Sequence, residues 1–159
     1  MSARAETLAK QFEAKAAEMT KALVQLTDPD WKKVTASEKW TVGVTAHHVA
    51  GGHEQIAGIV KTVAAGQSIP GFTLEMLHAG SAKHAQDFAN VTKAETLALH
   101  EKGAAAAAAT VRALSDADLE RSGTVFTGAP PMSAQQVIEG VLISHIGEHM
   151  GSIRATVGH

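Results

Sequence analysis

Apolar residues recur every three or four positions through most of the chain, and the alternating pattern of β-strands is scarce. That period places one apolar stripe on each of several α-helices. The four prolines fall in the segments between these stretches, where helices are expected to end. The pattern predicts helices over Ala3–Leu26, Val42–Ala65 and Thr73–Asn90, a fourth ending near Leu114 and a last one ending near Val157.

Three of the predicted helices begin at recognisable capping residues. Thr41 precedes the second helix as an N-cap. Thr92 and Ser133 are each followed three residues later by an acceptor side chain, Glu95 and Gln136 respectively. This spacing is a capping box, so we expect the fourth and last helices to begin there.

These elements predict an all-α protein, a four-helix bundle with Thr73–Asn90 as an extra short helix in the crossover. No linker or repeat divides the chain, so residues 1–159 are expected to form a single helical bundle domain. The segment Ser115–Met132 is longer than a bundle connection needs, and we expect it to cover one end of the bundle. The alanine run 104–109 predicts a helix face that neighbours approach closely.

The composition narrows the chemistry. The chain has nine histidines but no cysteine, which excludes disulfides, thiolate zinc fingers, iron–sulfur ligation and a cysteine nucleophile. A net charge of −2 without a basic cluster argues against nucleic acid and membrane surfaces as partners, and the apolar runs are short for a membrane span. The N-terminal sequence lacks the order of a signal peptide, so we expect a cytoplasmic protein.

Two histidines lie in the apolar stripe of the last helix. His145 and His149 continue the stripe that Ile138 and Leu142 begin, at positions where a bundle normally has leucine. Imidazoles at positions i and i+4 point the same way and can chelate one metal ion. The alternative is a pair of core histidines satisfied by hydrogen bonds.

The second helix carries two adjacent histidines. His48 shares a face with Ile56 and Ile59, whereas His47 lies about 120° or more from them. We therefore expect His48 to point inward and His47 to lie at the edge or exposed. His48 is about 9 Å from the start of its helix and His149 about 12 Å from the end of the last, so antiparallel helices bring them to similar levels.

The sequence thus permits a three-histidine metal site formed by His48, His145 and His149. Neutral imidazoles suit zinc, nickel, cobalt, copper or ferrous iron, and three protein ligands leave a position open for water or a substrate. The neighbouring Gly51 and Gly52 either leave room beside the metal or allow close helix packing. The remaining histidines are expected to be solvated or at the edge, with His84 as a candidate pocket residue; the others are His53, His78, His100 and His159.

The segment 40–50, WTVGVTAHHVA, together with HIGEH at 145–149, resembles the DinB-like superfamily, which includes YfiT-type metal-dependent proteins and thiol-dependent transferases. The resemblance covers nearly the whole chain and implies the same three metal ligands. It implies an up-down-down-up four-helix bundle with a long crossover between the second and third helices. It also implies a homodimer that holds zinc or nickel, although many members have no assigned reaction.

Two hypotheses of function follow. In the first, the protein is an enzyme whose metal activates water or a low-molecular-weight thiol toward a small electrophile, and the thiol is a cofactor because the chain has no cysteine. In the second, it is a non-catalytic metal-binding helical dimer with a stress, sensing or structural role.

The segment 145–149 also fits the H-x-x-E-H pattern of inverted zinc proteases, with Glu148 as base. We disfavour the protease interpretation because it needs an acidic third ligand after the motif, and none of the ten residues after His149 is acidic. Glu148 is expected to be an exposed helix residue, with a role beside the metal as the alternative.

Overall fold

Side-chain caps open the long helices of the computed structural model, which describes residues 2–158. Thr41, Thr92 and Ser133 cap their helices as predicted, and the last two form complete capping boxes with Glu95 and Gln136. The helices are α1 (Ala3–Gln25), α2 (Asp28–Lys32), α3 (Val42–Ala64), α4 (Leu74–Asp87), α5 (Lys93–Arg112), α6 (Asp116–Glu120), α7 (Ala134–Val137) and α8 (Ser144–Val157). An antiparallel pair of short strands, β1 (Ser122–Gly123) and β2 (Met132–Ser133), precedes α7.

Polar contacts between helix ends show that α1 and α5 are antiparallel. At the start of α5, the Lys93 ammonium donates a hydrogen bond to the Leu26 carbonyl just beyond α1, at 2.8 Å. At the end of α5, the Arg112 guanidinium pairs with Glu6 at 2.6 Å, in the first turns of α1. The two helices therefore run in opposite directions along their length.

The other helix directions complete the predicted up-down-down-up order. The Trp31 indole lies against Gly43 near the start of α3 and donates to the Val91 carbonyl just before α5, so α3 and α5 begin at the same end. Arg4 at the start of α1 donates to Gln135 in α7, so the last helix runs parallel to α1. The last helix is consequently antiparallel to α3.

One hydrophobic core lies between the bundle helices. Its largest fully buried apolar side chains are Phe12, Met19, Leu23, Leu119, Ile138, Leu142, Ile146, Met150 and Ile153. Ala107 and Ala108 of the alanine run are buried in this core, which agrees with the prediction that neighbouring helices approach this face closely. No helix within residues 2–158 combines the length and the apolarity that a membrane crossing needs.

The segment 115–132 carries more structure than the predicted link. It contains α6 and β1, and Leu119 and Val125 are buried in the core. The Ile69 N–H donates to the Thr124 carbonyl at 2.9 Å, which ties this segment to the crossover after α3. The expected cover at one end of the bundle is thus held by backbone hydrogen bonds.

The predicted last helix is interrupted by a π-helical segment, Ile138–Ile143, between α7 and α8. This segment contains Gly140 and three β-branched residues, all weaker α-helix formers than leucine or alanine. A pattern of three- and four-residue intervals does not reveal such a wider turn, which is why the sequence predicted one continuous helix.

The expectation that His53 and His100 are solvated or at the edge is wrong. Both are 1% exposed and lie between α1, α3 and α5, where the His53 ring meets Phe12 edge-on. The His100 Nε2–H donates to the Ala16 carbonyl at 2.9 Å, which leaves its Nδ1 to accept from His53 Nε2–H, also at 2.9 Å. These hydrogen bonds engage three of the four ring nitrogens of the pair and so lower the cost of its burial.

We predict that the free energy of unfolding falls as the pH drops below about 6.5, the pKa of histidine in an unfolded chain. Burial, followed by the proximity of His100, lowers the pKa of His53 to about 3 in the fold. Between these values the unfolded state binds more protons, so stability decreases by up to about 1.4 kcal/mol per pH unit for each such histidine.

Urea unfolding of the metal-free protein at several pH values between 7.5 and 5 measures this slope. The variant His53→Gln should show a shallower slope than the wild type. His78→Gln, at an exposed position of α4, is the matched control and should keep the wild-type slope. A free energy of unfolding that does not change over this pH range would contradict the prediction.

Candidate metal site

The structure brings together the three histidines that the sequence singled out. His48 comes from α3, and His145 and His149 lie one turn apart on α8. Each offers a ring nitrogen, and these three atoms all lie within 4.8 Å of one another. The Nε2 atoms of His48 and His145 are 3.1 Å apart.

The environment of two of the three histidines, His48 and His145, favours uncharged imidazoles. Burial, followed by the nearby His149, lowers the pKa of His48 to about 4 and that of His145 to about 3. Both rings are therefore neutral at pH 7, with a lone pair available for a metal ion.

A glycine on α3 makes room for the His145 ring. A Cβ atom at Gly52 would lie 2.9 Å from His145 Cε1, closer than nonbonded carbon atoms pack. At Gly51 the nearest such contact is an ordinary 3.8 Å to Leu99. Of the two interpretations of these glycines, the one that fits Gly52 is that it leaves room at the site. The group that occupies this room is the ring of His145, a candidate ligand.

A carboxylate that the sequence analysis missed completes the site. Glu38 Oε1 lies 3.2 Å from His149 Nδ1, and Glu38 Oε2 accepts a 2.7 Å hydrogen bond from the Ser152 hydroxyl. Burial acts to raise the pKa of Glu38, but hydrogen bonds from Ser152, Thr35 and His149 outweigh it and lower the pKa overall. The carboxylate therefore accepts from His149 Nδ1–H and leaves Nε2 free to bind a metal.

A tight loop before α3 positions Glu38. The Thr35 N–H donates to the Trp40 carbonyl at 2.8 Å, and the Lys39 N–H donates to the Thr35 carbonyl at 3.0 Å. Lys39 adopts a left-handed conformation (φ 62°), which costs about 1 kcal/mol for a residue other than glycine. The residues on either side of it both reach the site, since the Trp40 ring lies 5.2 Å from that of His48.

The expectation that His47 is at the edge or exposed is wrong. His47 is 7% exposed, and its ring stacks on Phe88 with a centroid distance of 4.3 Å. Its Nδ1 lies 2.7 Å from His84 Nε2. The helical wheel considered only the bundle core, whereas α4 from the crossover covers the other side of α3.

The remaining predicted residues fall outside the triad. His84 packs against the rings of His47 and His48. It does not line the cavity that the triad faces, whereas His78 on the same helix does. Glu148 is exposed, as the simpler interpretation predicted. His159 lies outside the described residues.

The triad opens on a cavity of about 610 Å³. Its walls come from α3, from α4, from the crossover at Phe72, from the segment 115–132 and from the last helix. The lining includes Trp40, Ile56, Ile59, Phe72, Phe126 and Val141. This volume is within the range of small-molecule sites.

The residues present fit a divalent cation. In the neutral state, the facing Nε2 atoms of His48 and His145 share one proton at most, and a cation can take the place of that proton. Three imidazoles with a carboxylate behind one of them are a donor set suited to zinc or another late first-row metal.

Residues 11–153 match the family model of the DinB superfamily, and the chain therefore belongs to that superfamily. Its fold is similar to that of YfiT from Bacillus subtilis, described as a probable metal-dependent hydrolase with an unusual four-helix bundle topology. The two are 17% identical, the TM-score is 0.76, and the match covers 99% of this chain and 90% of that one. No curated protein sequence matches the chain.

Two crystal structures of the mycothiol-dependent maleylpyruvate isomerase, one of them a histidine-to-alanine mutant, are also similar. Their TM-scores are 0.73 and 0.74 at 13% and 11% identity. The match covers 94% of this chain, which spans only 60% of the length of the isomerase.

We predict that His145→Ala and His149→Ala each abolish stoichiometric metal binding, because two imidazoles hold a cation much more weakly than three. Among the adjacent histidines, His48→Ala should lose the metal and His47→Ala should retain it, since His47 faces α4. Elemental analysis after loading with zinc or nickel and gel filtration measures the occupancy, with circular dichroism to confirm folding. Full metal occupancy in both the His145 and the His149 variants would contradict the assignment of the site.

We further predict that Glu38→Ala lowers metal affinity about 10- to 100-fold, the usual cost of losing a carboxylate behind a ligating histidine. The matched control is Glu148→Ala, which removes an exposed carboxylate next to His149 and should leave the affinity unchanged. Competition with a chromophoric chelator measures both dissociation constants. If Glu148→Ala proves the more damaging change, the motif glutamate and not Glu38 supports the metal.

Proposed function

We propose that this member of the DinB superfamily is a metal-dependent enzyme that activates water or a low-molecular-weight thiol toward a small electrophile. The observation that carries the proposal is a triad of histidines facing a cavity large enough for a small molecule. A metal held only for structure needs no such cavity, so the cavity weighs against the non-catalytic alternative.

In this proposal His48, His145 and His149 hold one divalent cation, zinc or nickel. The cation supplies Lewis acidity, which lowers the pKa of a coordinated water or thiol toward neutrality. The chain's own residues fix the ligands: Glu38 sets the tautomer of His149, Gly52 admits the ring of His145, and Trp40 packs against His48.

The reaction balances in either form. In hydrolysis, the water oxygen bonds to an acyl carbon, the bond to the leaving group breaks, and one water proton ends on that group. In thiol transfer, the sulfur bonds to an electrophilic carbon, the bond from that carbon to the leaving group breaks, and the thiol proton ends on the leaving group. With no cysteine in the chain, the thiol has to be a bound cofactor.

Two relatives in fold support these two forms. YfiT is described as a probable metal-dependent hydrolase, and the maleylpyruvate isomerase is described as mycothiol-dependent. Both forms of the reaction require the same feature of this chain, namely an open coordination position beside the cavity.

The test is an activity screen of zinc- and nickel-loaded protein. Neutral esters and amides probe hydrolysis, and low-molecular-weight thiols with a chloroarene or bromobimane probe thiol transfer. We expect turnover in at least one arm, its loss in His145→Ala, and its retention in Glu148→Ala. Stoichiometric metal without turnover in either arm would favour the non-catalytic metal-binding dimer.

A further inference from the structure

Away from the histidine triad and Glu38, the buried part of the cavity wall is apolar, and the exposed part includes polar residues. Ile56 and Val125 are buried, whereas Gln55 and His78 are exposed lining residues. Among the residues of the described chain that line the cavity, none is a lysine or an arginine. A molecule in the cavity therefore meets no cationic side chain in its wall.

The charged carboxylate in the wall is already engaged. Glu38 accepts hydrogen bonds from Ser152 and from His149, and its side chain is only 10% exposed. An anionic substrate group placed away from the triad would be desolvated with no counter-charge, and near Glu38 it would be repelled. A cationic group would meet the same desolvation cost away from the triad, and at the triad a bound divalent cation would repel it.

Two aromatic rings form one wall. Phe72 and Phe126 stack with their centroids 5.3 Å apart and an interplanar angle of 21°. The Thr127 N–H donates to the Phe72 carbonyl at 2.8 Å, which fixes the backbones of the two segments that carry these rings. Such a wall favours a flat or aliphatic apolar group.

We propose that the substrate is an uncharged, predominantly apolar small molecule. Its electrophilic end lies at the histidine triad, and its apolar body lies along the Phe72–Phe126 wall. This inference rests on the proposed function, because it identifies the substrate class of the same site.

The test uses cobalt-loaded protein and three hydroxamic acids that bind metal through the same head group. Acetohydroxamic acid carries a methyl group, benzohydroxamic acid a neutral phenyl ring, and 4-carboxybenzohydroxamic acid an anionic ring. Titrations followed by the visible cobalt spectrum give a dissociation constant for each. We expect the phenyl compound to bind about tenfold or more tighter than the methyl compound, from burial of its ring, and the carboxylate to remove most of that gain.

Variants locate the effect. Phe126→Ala should bring the affinity for the phenyl compound down toward that for the methyl compound, which itself should change little. Phe72→Leu keeps the wall filled and should give a smaller loss, and circular dichroism checks that both variants fold. Phe88→Ala is the matched control, since Phe88 is a phenylalanine outside the cavity lining.

The outcomes separate the two proposals. If the triad binds none of cobalt, zinc and nickel, the proposed function fails together with this inference. If cobalt binds and the hydroxamates perturb its spectrum, but the phenyl compound has no advantage or the carboxylate binds as well, the metal site stands and the inference on substrate class is overturned. An equal loss in Phe88→Ala would also overturn it, because the effect would not arise in the cavity.

Discussion

The candidate site depends on the close approach of the last helix to α3 at Gly52. The His145 ring occupies the volume that a side chain at residue 52 would fill, so its Nε2 reaches within 3.1 Å of His48 Nε2. This approach requires two antiparallel helices, because His48 lies near the start of α3 and His149 lies in the second half of the last helix. The up-down-down-up order therefore does more than close the core, since it brings the three nitrogens to one level.

Burial of the His48 and His145 rings determines their chemistry. Neutral imidazoles in a partly dry site are poor proton acceptors but remain good ligands, because the lone pair is kept. For His149 the cost of burial is reduced by Glu38, which engages its second nitrogen. The same principle explains the His53–His100 pair, where the partners are another histidine and a backbone carbonyl and no ring nitrogen of the pair faces the cavity.

The helices, their caps and the His145–His149 pair could be predicted because they depend on short-range patterns. Period, capping boxes and the i, i+4 spacing of His145 and His149 all lie within a few residues of one another. The contribution of Glu38 could not be predicted, because it depends on a loop in which Lys39 takes a left-handed conformation. The burial of His47 was missed for a related reason: it depends on α4, which reaches α3 from a distant part of the chain.

The division between bundle and connections suggests how one fold accommodates different reactions. The three histidines of the triad lie on α3 and α8, whose geometry is fixed by core packing. The residues that shape the cavity opposite them come from α4 and from the segments around Phe72 and Phe126, which lie outside those helices. Changes in these connections alter the cavity without moving the triad. Similarity in fold at 17% identity or below therefore carries only the bundle to this chain, whereas the proposed substrate class rests on the chain's own apolar wall.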